Sequence, residues 1–375
     1  MVDGFINFNL NEKTPTIIKV IGVGGGGGNA VEYMYDKGIC DVDFVICNTD
    51  YQALRNSPIP YKIQLGKELT GGHGAGNNPE RGEKSAQESL ADIEALLKKD
   101  TKMAFVTAAM GGGTGTGAAP VIAKLSKDMG ILTVGIVSIP ARFEGPKRIG
   151  QAREGLLKLK DHVDCLIVID NEKIKAIYGP QPLSAAFDKA NDVLNIAAKG
   201  IAEIITLPGY INVDFADVKT VMTDSGVAIM GAAKAAGEDR AIRAITEALE
   251  SPLLNNSDIL GAKDILLNIT SGTDEITMDE MSQITSYIIR KVGNNAAVIW
   301  GVGTDLNLGD AISVTIIATG FPVSEIGLDN PNTGTPAADG PVMVEDPAIT
   351  PDMNEEQIRE LENEPAFERR DLRLN

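Results

Sequence analysis

Two glycine-rich segments, each lying between an apolar run and a helical pattern, constrain the fold of this chain more than any other feature. Residues 111–117 read Gly-Gly-Gly-Thr-Gly-Thr-Gly; they follow the apolar run 103–110 and precede a helical pattern that opens with Ala118. A strand that leads through such a loop into a helix points several backbone N–H groups at one place, which suits a phosphate. Thr114 and Thr116 add hydroxyl donors. So many glycines carry a large entropic cost, which close approach of a ligand would justify.

The other segment, residues 22–28, follows the apolar run 16–23 and precedes a helical pattern from Ala30. Its spacing fits the Gly-x-Gly-x-x-Gly fingerprint of dinucleotide-binding loops, with Asp43 or Asp50 within range of a ribose. A flexible linker is the alternative, but the flanking strand and helix disfavour it.

Together the two segments favour a polyphosphate ligand, because a dinucleotide enzyme needs only one such loop. The Walker A pattern is absent, since Gly66 and Lys67 are followed by Glu68, and no Asn-Lys-x-Asp guanine motif occurs. These absences exclude a P-loop GTPase. A nicotinamide-dependent oxidoreductase that uses the loop from Gly22 to Gly27 stays as an alternative.

Strand and helix patterns alternate along the first half of the chain. The predicted strands are 16–23, 43–47, 103–110, 131–139 and 165–169. Such alternation is typical of a parallel sheet in the α/β class, whose ligands lie at the carboxyl ends of the strands. We therefore predict a Rossmann-like parallel-sheet domain with its ligand at that edge.

Composition divides the chain into five segments. Residues 1–15 are polar and aperiodic and are predicted to be disordered, whereas 16–181 form the nucleotide-binding domain. One long helical pattern, 182–208, leads into 209–321, where helices alternate with β-branched strands as in a smaller α+β domain. Residues 322–375 contain seven prolines and little apolar periodicity, which predicts a disordered acidic tail.

The charge argues against a nucleic-acid partner. The net charge is −18, and residues 322–375, with 13 Asp and Glu against 4 Arg, carry half of it. A nucleic-acid groove requires the opposite sign. No apolar run approaches the ~20 residues that span a bilayer, and the first residues lack a signal pattern. We expect a cytoplasmic protein without direct membrane insertion.

Cysteine and histidine usage sets structural zinc aside. The three cysteines, Cys40, Cys47 and Cys165, form neither a Cys-x-x-Cys motif nor an even set, so reduced thiols are expected. Only His73 and His162 occur, too few for a histidine-rich zinc site. The sequence alone identifies no metal ligands.

Two further patterns carry chemistry but have simpler interpretations. On the long helix, Phe187 and Asn191 share a face with Asn195; a ring can stack on a purine and an amide can bind a base, yet an aromatic at helical spacing is usually core. Beyond the helix, Asp214 and Asp217 lie three residues apart, which is ordinarily a helix cap or a solvated face.

Five motifs in order resemble the FtsZ family of bacterial cell-division GTPases, in the tubulin superfamily. The resemblance covers about residues 16–320, and tubulin itself is less similar because its glycine loop is not followed by Ala-Ala-Pro. The motifs are 22–30 (GVGGGGGNA), 48–50 (NTD), 111–117 (GGGTGTG), 143–148 (FEGPKR) and 212–217 (NVDFAD).

The resemblance implies a GTP site with Mg²⁺ and assigns residues to each part of the nucleotide. Asn48 and Asp50 would approach the phosphate or magnesium side, and Glu144 would hold the ribose while Arg148 neutralises phosphate charge. Pro146 departs from the basic residue expected there. The phosphates would be wrapped by Gly25, Gly26, Gly27, Gly28, Asn29, Gly112, Gly113, Thr114 and Gly115. The γ-phosphate would be covered by Gly74, Ala75 and Gly76. The guanine would be read by Phe187, Asn191 and Asp192.

The resemblance also implies that the site is completed by another subunit. Asn212, Asp214 and Asp217 would enter the nucleotide site of the next copy, with the two carboxylates positioning the attacking water and Asn212 contacting the nucleotide. Such a head-to-tail contact does not close and builds open filaments, here the Z-ring at mid-cell. A non-hydrolysing scaffold is disfavoured because these carboxylates are present.

The end of the tail resembles a docking peptide on a tether. Pro365, Ala366 and Phe367 are followed by Arg369 and Arg370, which combines one aromatic ring with positive charge. We expect it to bind a membrane-tethering division protein, although acidic residues interrupt it. A solvating brush is the alternative.

Overall fold

The computed structural model describes residues 16–206, 210–211, 213–250, 259–293 and 296–321, without the side chain of Leu183. The predicted disordered segments 1–15 and 322–375 lie outside these residues.

The described strands form one ten-stranded sheet of order β3-β2-β1-β4-β5-β6-β7-β10-β8-β9. Strands β1 to β6 pair in parallel, β7 is parallel to β6, and β10 is antiparallel to both of its neighbours. The strands are β1 (Ile18–Val23), β2 (Val42–Asn48), β3 (Tyr61–Gln64), β4 (Met103–Ala109), β5 (Leu132–Ile139), β6 (Cys165–Asp170), β7 (Gly226–Ala235), β8 (Asp264–Ser271), β9 (Ala297–Thr304) and β10 (Ile312–Phe321).

Helices cover both faces of the parallel part. They are α1 (Gly24–Asp36), α2 (Tyr51–Asn56), α3 (Lys67–Thr70), α4 (Pro79–Glu88), α5 (Leu90–Leu97), α6 (Thr114–Asp128), α7 (Pro146–Lys160), α8 (Asn171–Tyr178), α9 (Leu183–Thr206), α10 (Phe215–Met222), α11 (Arg240–Leu249) and α12 (Met278–Val292). Short 3-10 turns lie at Arg142–Glu144 and Leu306–Leu308.

The central strand β1 is buried along its whole length because it has helices on both faces. Ile21 and Val23 pack into an apolar cluster with α5, α6 and α7, whereas Ile18 and Val20 pack with α1 and α9. This arrangement confirms the predicted α/β class and brings the carboxyl ends of the parallel strands to one edge.

The glycine runs contain helix as well as loop, contrary to the prediction that helices begin at Ala30 and Ala118. α1 begins at Gly24 and α6 at Thr114. The reason is packing: a Cβ on Gly26 would overlap the Cβ of Ala109 on β4, so only glycine lets the first turn of α1 lie directly on the sheet.

The long helix was predicted at 182–208 and is α9, Leu183–Thr206. The strands predicted from the sequence do not include β3 or β7. Helices α4 and α5 meet at Ser89. β7 continues the sheet through a short pairing, residues 165–167 with 226–228. The domain boundaries at 181 and 208 stay a prediction.

The described cysteines are free thiols, as expected. Burial raises the pKa of Cys47 and of Cys165 to about 12, so that both are protonated at neutral pH. They serve as small apolar side chains in the sheet.

The packing of α1 predicts opposite effects of one substitution at two neighbouring positions. A Cβ at Gly27 would lie inside contact distance of the Thr107 carbonyl oxygen, whereas at Gly28 nothing lies within 4 Å. We expect Gly27→Ala to lower the free energy of unfolding by roughly 1–3 kcal/mol. Gly28→Ala should raise it by up to about 1 kcal/mol through helix propensity. Urea unfolding without nucleotide measures both; equal effects would contradict this packing.

Candidate functional site

A cavity of about 410 Å³ opens at the carboxyl edge of the parallel strands. It is bounded by the first turn of α1, the loop before α6, the turn before α7 and one face of α9. Its lining residues are Val23, Gly25, Gly26, Asn29, Ala109, Met110, Gly112, Gly113, Thr114, Gly115, Ser138, Pro140, Glu144, Arg148, Asn171, Phe187, Ala190, Asn191 and Leu194. A larger cavity of about 510 Å³, lined by α4, α6 and α7, contains none of the predicted site residues.

The N-termini of α1 and α6 meet at one end of the cavity. Gly24 has a left-handed φ of +74°, and a Cβ there would lie 2.8 Å from the Gly115 nitrogen. The first turn of each helix has backbone N–H groups without helical partners and a positive dipole end. Two such ends side by side suit an anion; phosphate binding by residues 111–117 stays a prediction.

The hydroxyl groups of the two threonines stabilise this loop. The Thr116 hydroxyl accepts a hydrogen bond from the Gly111 N–H at 2.8 Å and is buried. The Thr114 and Thr49 hydroxyls are hydrogen-bonded at 2.7 Å. These bonds fix the loop before any ligand binds, which lowers the entropic cost of binding.

A smaller cavity of about 210 Å³ adjoins the phosphate end of the 410 Å³ cavity. Gly25 and Asn29 line both cavities, and Gly28 and Asn48 line the smaller one. Asp50 caps α2 by accepting the Gln52 N–H at 2.8 Å, so its carboxylate is oriented at this edge.

The predicted γ-phosphate loop lies beside the glycine loop. The Gly74 N–H donates to the Thr49 carbonyl at 3.2 Å. A Cβ on Gly113 would approach the Ala75 Cβ to 2.9 Å. Gly74, Ala75 and Gly76 line neither the 410 Å³ nor the 210 Å³ cavity, but they border residues 112–115, which line the 410 Å³ cavity.

Glu144 and Arg148 lie at the cavity wall and form a salt bridge, with 2.8 Å between the Arg148 guanidinium nitrogen and a Glu144 carboxylate oxygen. The other oxygen of Glu144 accepts the Ala141 N–H at 3.0 Å. Pro146, the departure from the family pattern, is the first residue of α7. Its fixed φ suits that position, so the substitution leaves Glu144 and Arg148 in place.

At the opposite end, Phe187 and Asn191 project from α9 into the cavity lining. Phe187 is 46% exposed, so it does not belong to the core. Asp192 lies outside the lining and accepts a hydrogen bond from the Tyr33 hydroxyl at 3.2 Å. Burial and the Asp192 charge raise the pKa of Tyr33. Asn195 is buried and also lies outside the lining.

Sequence patterns missed Ser138, Pro140 and Asn171, which also line the cavity. Asn171 is the first residue of α8, directly after β6, and its carboxamide oxygen is buried without a hydrogen-bond partner in the described part of the chain. Such an orphaned acceptor beside a cavity is a candidate ligand contact. Its position at a strand's carboxyl end was the available signal.

The next residue, Glu172, ties α8 to the Glu144 turn. Its carboxylate accepts the Arg142 N–H at 2.8 Å and pairs with Lys175 at 3.1 Å. Partial burial opposes ionisation, but the Arg142 N–H and Lys175 together hold the pKa of Glu172 below its usual value.

Asp214 and Asp217 lie elsewhere. Asp214 caps α10 by accepting the Asp217 N–H at 2.8 Å, and neither residue lines the cavity. They follow the far end of α9; from Asn191 to Thr206 that helix advances about 22 Å. Asn212 lies outside the described residues. The structure thus brings most of the predicted nucleotide residues to the two cavities and separates them from the predicted catalytic carboxylates. The predicted nucleotide residues that line neither cavity are Gly27, Asp50, Gly74, Ala75, Gly76 and Asp192.

Within the described ranges, no group of three or more His, Cys, Asp or Glu side chains is arranged to hold a metal ion. None of the helices in that part of the chain combines the length and apolar character needed to cross a bilayer.

The orphaned acceptor predicts an effect of Asn171 on nucleotide affinity. We expect Asn171→Ala to weaken GTP binding roughly fivefold, since one hydrogen bond is worth about 1 kcal/mol. Thr206→Val, which removes another buried unpartnered oxygen away from the cavity, is the control and should leave affinity unchanged. Titration with a fluorescent GTP analogue measures both; unchanged affinity of the Asn171 variant would contradict this contact.

Two family models match the chain. The GTPase domain of the Tubulin/FtsZ family matches residues 17–179, and the C-terminal domain of the FtsZ family matches residues 226–322. These matches lend no support to the nicotinamide-dependent oxidoreductase.

Curated relatives and solved structures indicate the same family as the two family models do. The chain is 50% identical over 324 residues to the cell division protein FtsZ of Porphyromonas gingivalis, covering 86% of this chain and 71% of that protein. It is 50% identical to FtsZ of Buchnera aphidicola subsp. Baizongia pistaciae, covering 81% and 79%.

Among solved structures, an empty FtsZ dimer of M. jannaschii matches with a TM-score of 0.77 and 43% identity, covering 82% of this chain and 89% of that one. GDP-bound CetZ1 from Haloferax volcanii, 21% identical with a TM-score of 0.72 and coverage of 83% and 97%, shares the fold. The glycine-lined site, both family models and these relatives agree, and the chain belongs to the FtsZ family of tubulin-like GTPases.

Proposed function

We propose that this chain is a GTP-dependent, self-assembling filament protein of bacterial cell division that hydrolyses GTP at a site shared by adjacent subunits. One observation carries the proposal. Among the described residues that line the 410 Å³ cavity, Glu144 is the one acid, and Arg148 pairs with it. Asp214 and Asp217 lie beyond the other end of α9, where they cannot reach the nucleotide of their own subunit.

Each part of the nucleotide has a matching group in the cavity. The N–H groups at the starts of α1 and α6 bind the phosphates, Glu144 accepts from the ribose hydroxyls, and Phe187 stacks on the guanine while Asn191 and Asn171 bind its edge. Asp192, paired with Tyr33, acts on the guanine through the orientation of Asn191 beside it.

Magnesium fits the phosphate end. Asn48 and Asp50 offer oxygen atoms there, and Mg²⁺ characteristically takes only one or two protein ligands in addition to phosphate and water. When bound, the ion would neutralise phosphate charge.

In the shared site, Asp214 and Asp217 of one subunit face the γ-phosphate of the next. Their carboxylates orient a water molecule and accept its proton as the water oxygen bonds to the γ-phosphorus. The bond from that phosphorus to the bridging oxygen breaks, and GDP departs with the electron pair. The N–H groups of the glycine loop stabilise the charge that develops on the phosphate oxygens.

This division of the site explains assembly. The contact joins two different faces, so it repeats without closing and builds an open filament. The solved FtsZ of M. jannaschii is a dimer, which supports self-association. GTP at the contact favours assembly, and its hydrolysis weakens the contact.

The proposal predicts that Asp214→Asn separates binding from hydrolysis. Asparagine keeps the helix cap but removes the charge, so turnover should fall roughly 100- to 10,000-fold, while affinity for GTP stays at the wild-type value. Phosphate release in Mg²⁺ and in excess EDTA measures turnover, which should require Mg²⁺ and rise per subunit with protein concentration. Asp92→Asn, the same change in the first turn of α5, is the control.

Mixing two inactive variants tests the shared site directly. A side chain on Gly113 would strike the Asn78 nitrogen and Ala75, so Gly113→Val should lose GTP binding. When the Gly113→Val protein is mixed with the Asp214→Asn protein, the first supplies intact carboxylates and the second supplies an intact cavity. GTP turnover should therefore return in the mixture. No recovery, together with turnover independent of concentration, would contradict a shared site.

We further propose that the tail, which lies outside the described residues, recruits a membrane-tethering division protein to filaments at mid-cell in the cytoplasm. Phe367 with Arg369 and Arg370 supports this by pairing an apolar anchor with charge. Deletion of residues 360–375 should leave GTP turnover unchanged and abolish mid-cell rings of a fluorescent fusion. Normal rings would favour the solvating brush.

A further inference from the structure

We propose that Gly301 on β9 is a positioning residue for GTP hydrolysis, because its missing side chain sets where Asp214 and Asp217 lie. The inference rests on the proposed function, in which these carboxylates serve the next subunit's nucleotide. It assigns their placement to the C-terminal half of the sheet, which contains no residue of the nucleotide cavity.

Strand β9 lies at the edge of the sheet, and the segment after α9 pairs with its free side. The Val302 N–H donates to the Ile211 carbonyl at 3.1 Å, and the Tyr210 N–H donates to the Val302 carbonyl at 2.9 Å. Residues 210–211 therefore extend the sheet by one short bridge. The position of β9 therefore fixes residues 210 and 211, which lie shortly before Val213 and Asp214 in the chain.

Packing beside this bridge is tight at one glycine. A Cβ on Gly301 would lie 3.3 Å from a methyl carbon of Val213 and 3.6 Å from the Ile211 carbonyl oxygen. Val213 is buried, so it has little room to move away. Because Val213 directly precedes Asp214, a displacement of Val213 passes to the cap of α10.

Asp214 and Asp217 move together. The 2.8 Å hydrogen bond from the Asp217 N–H to Asp214 joins them at the start of α10. A shift of a few tenths of an ångström at Val213 would therefore change the positions of both carboxylates. The rate of hydrolysis depends strongly on the position of such groups.

A second tie holds the same segment. The Tyr210 hydroxyl donates to Glu275 at 2.7 Å. The backbone of Glu275 is itself held by Arg240, a buried guanidinium that bonds to the Glu275 and Asp310 carbonyls and to Glu280. The segment thus bonds to the C-terminal half at two places, to β9 through its backbone and to Glu275 through the Tyr210 side chain.

The strand offers a matched control for the test. Gly303 lies two residues further along β9, on the same face, and nothing lies within 4 Å of a Cβ placed there. We expect Gly301→Ala to lower the maximal rate of GTP turnover by roughly threefold to tenfold, by analogy with other small misplacements. Gly303→Ala should match the wild type. Both should bind the fluorescent GTP analogue and sediment with a non-hydrolysable analogue as the wild type does.

A compensating variant separates positioning from general damage. Val213→Ala removes the methyl groups that the new Cβ would strike, so Gly301→Ala combined with Val213→Ala should turn over GTP faster than Gly301→Ala alone. Thermal unfolding of each variant accompanies the assays. A purely structural role predicts instead that the double variant is both less stable and slower.

Equal turnover for Gly301→Ala and Gly303→Ala, or a double variant no faster than Gly301→Ala, would overturn the inference. Failure of the proposed function looks different: Asp214→Asn, run in the same assay, would then retain wild-type turnover.

Discussion

The close contact between the first turns of α1 and strand β4 is the constraint on which the rest of the site depends. Gly26 and Gly27 lie on β4 at distances that no side chain permits. β1 and β4 are neighbours in the sheet, so the helices that follow them begin side by side. The N-termini of α1 and α6 consequently point at one place, and the phosphate end of the cavity is built from backbone.

A backbone-lined phosphate end has chemical consequences. The chain has no Walker A motif and therefore no Walker A lysine to stabilise phosphate charge. Fixed backbone N–H groups can supply that stabilisation instead. They cannot accept a proton, however, and Glu144, the one acid among the described residues that line the 410 Å³ cavity, is paired with Arg148. In the proposed function, water activation comes from a different surface, the Asp214 and Asp217 carboxylates of the next subunit, and catalysis is in that way linked to self-association.

Helix α9 separates those surfaces. Its first turns carry Phe187 and Asn191 at the cavity, and its far end leads to the segment that carries Asp214. The C-terminal half of the sheet holds that segment through β9 and, by way of Glu275, through the buried Arg240. A helix of this length is a rigid spacer, so the two surfaces keep a fixed relation within one subunit.

The sequence by itself determined the α/β class, the two glycine-rich loops, the long helix and the order of the motifs, because periodicity and glycine content are local signals. Only the tertiary structure decided that glycines 24–28 are helix, that Asp192 pairs with Tyr33, that Asn171 faces the cavity and that Gly301 meets Val213. Each of these depends on which distant segments become neighbours. Strand order sets that, and no local pattern encodes it.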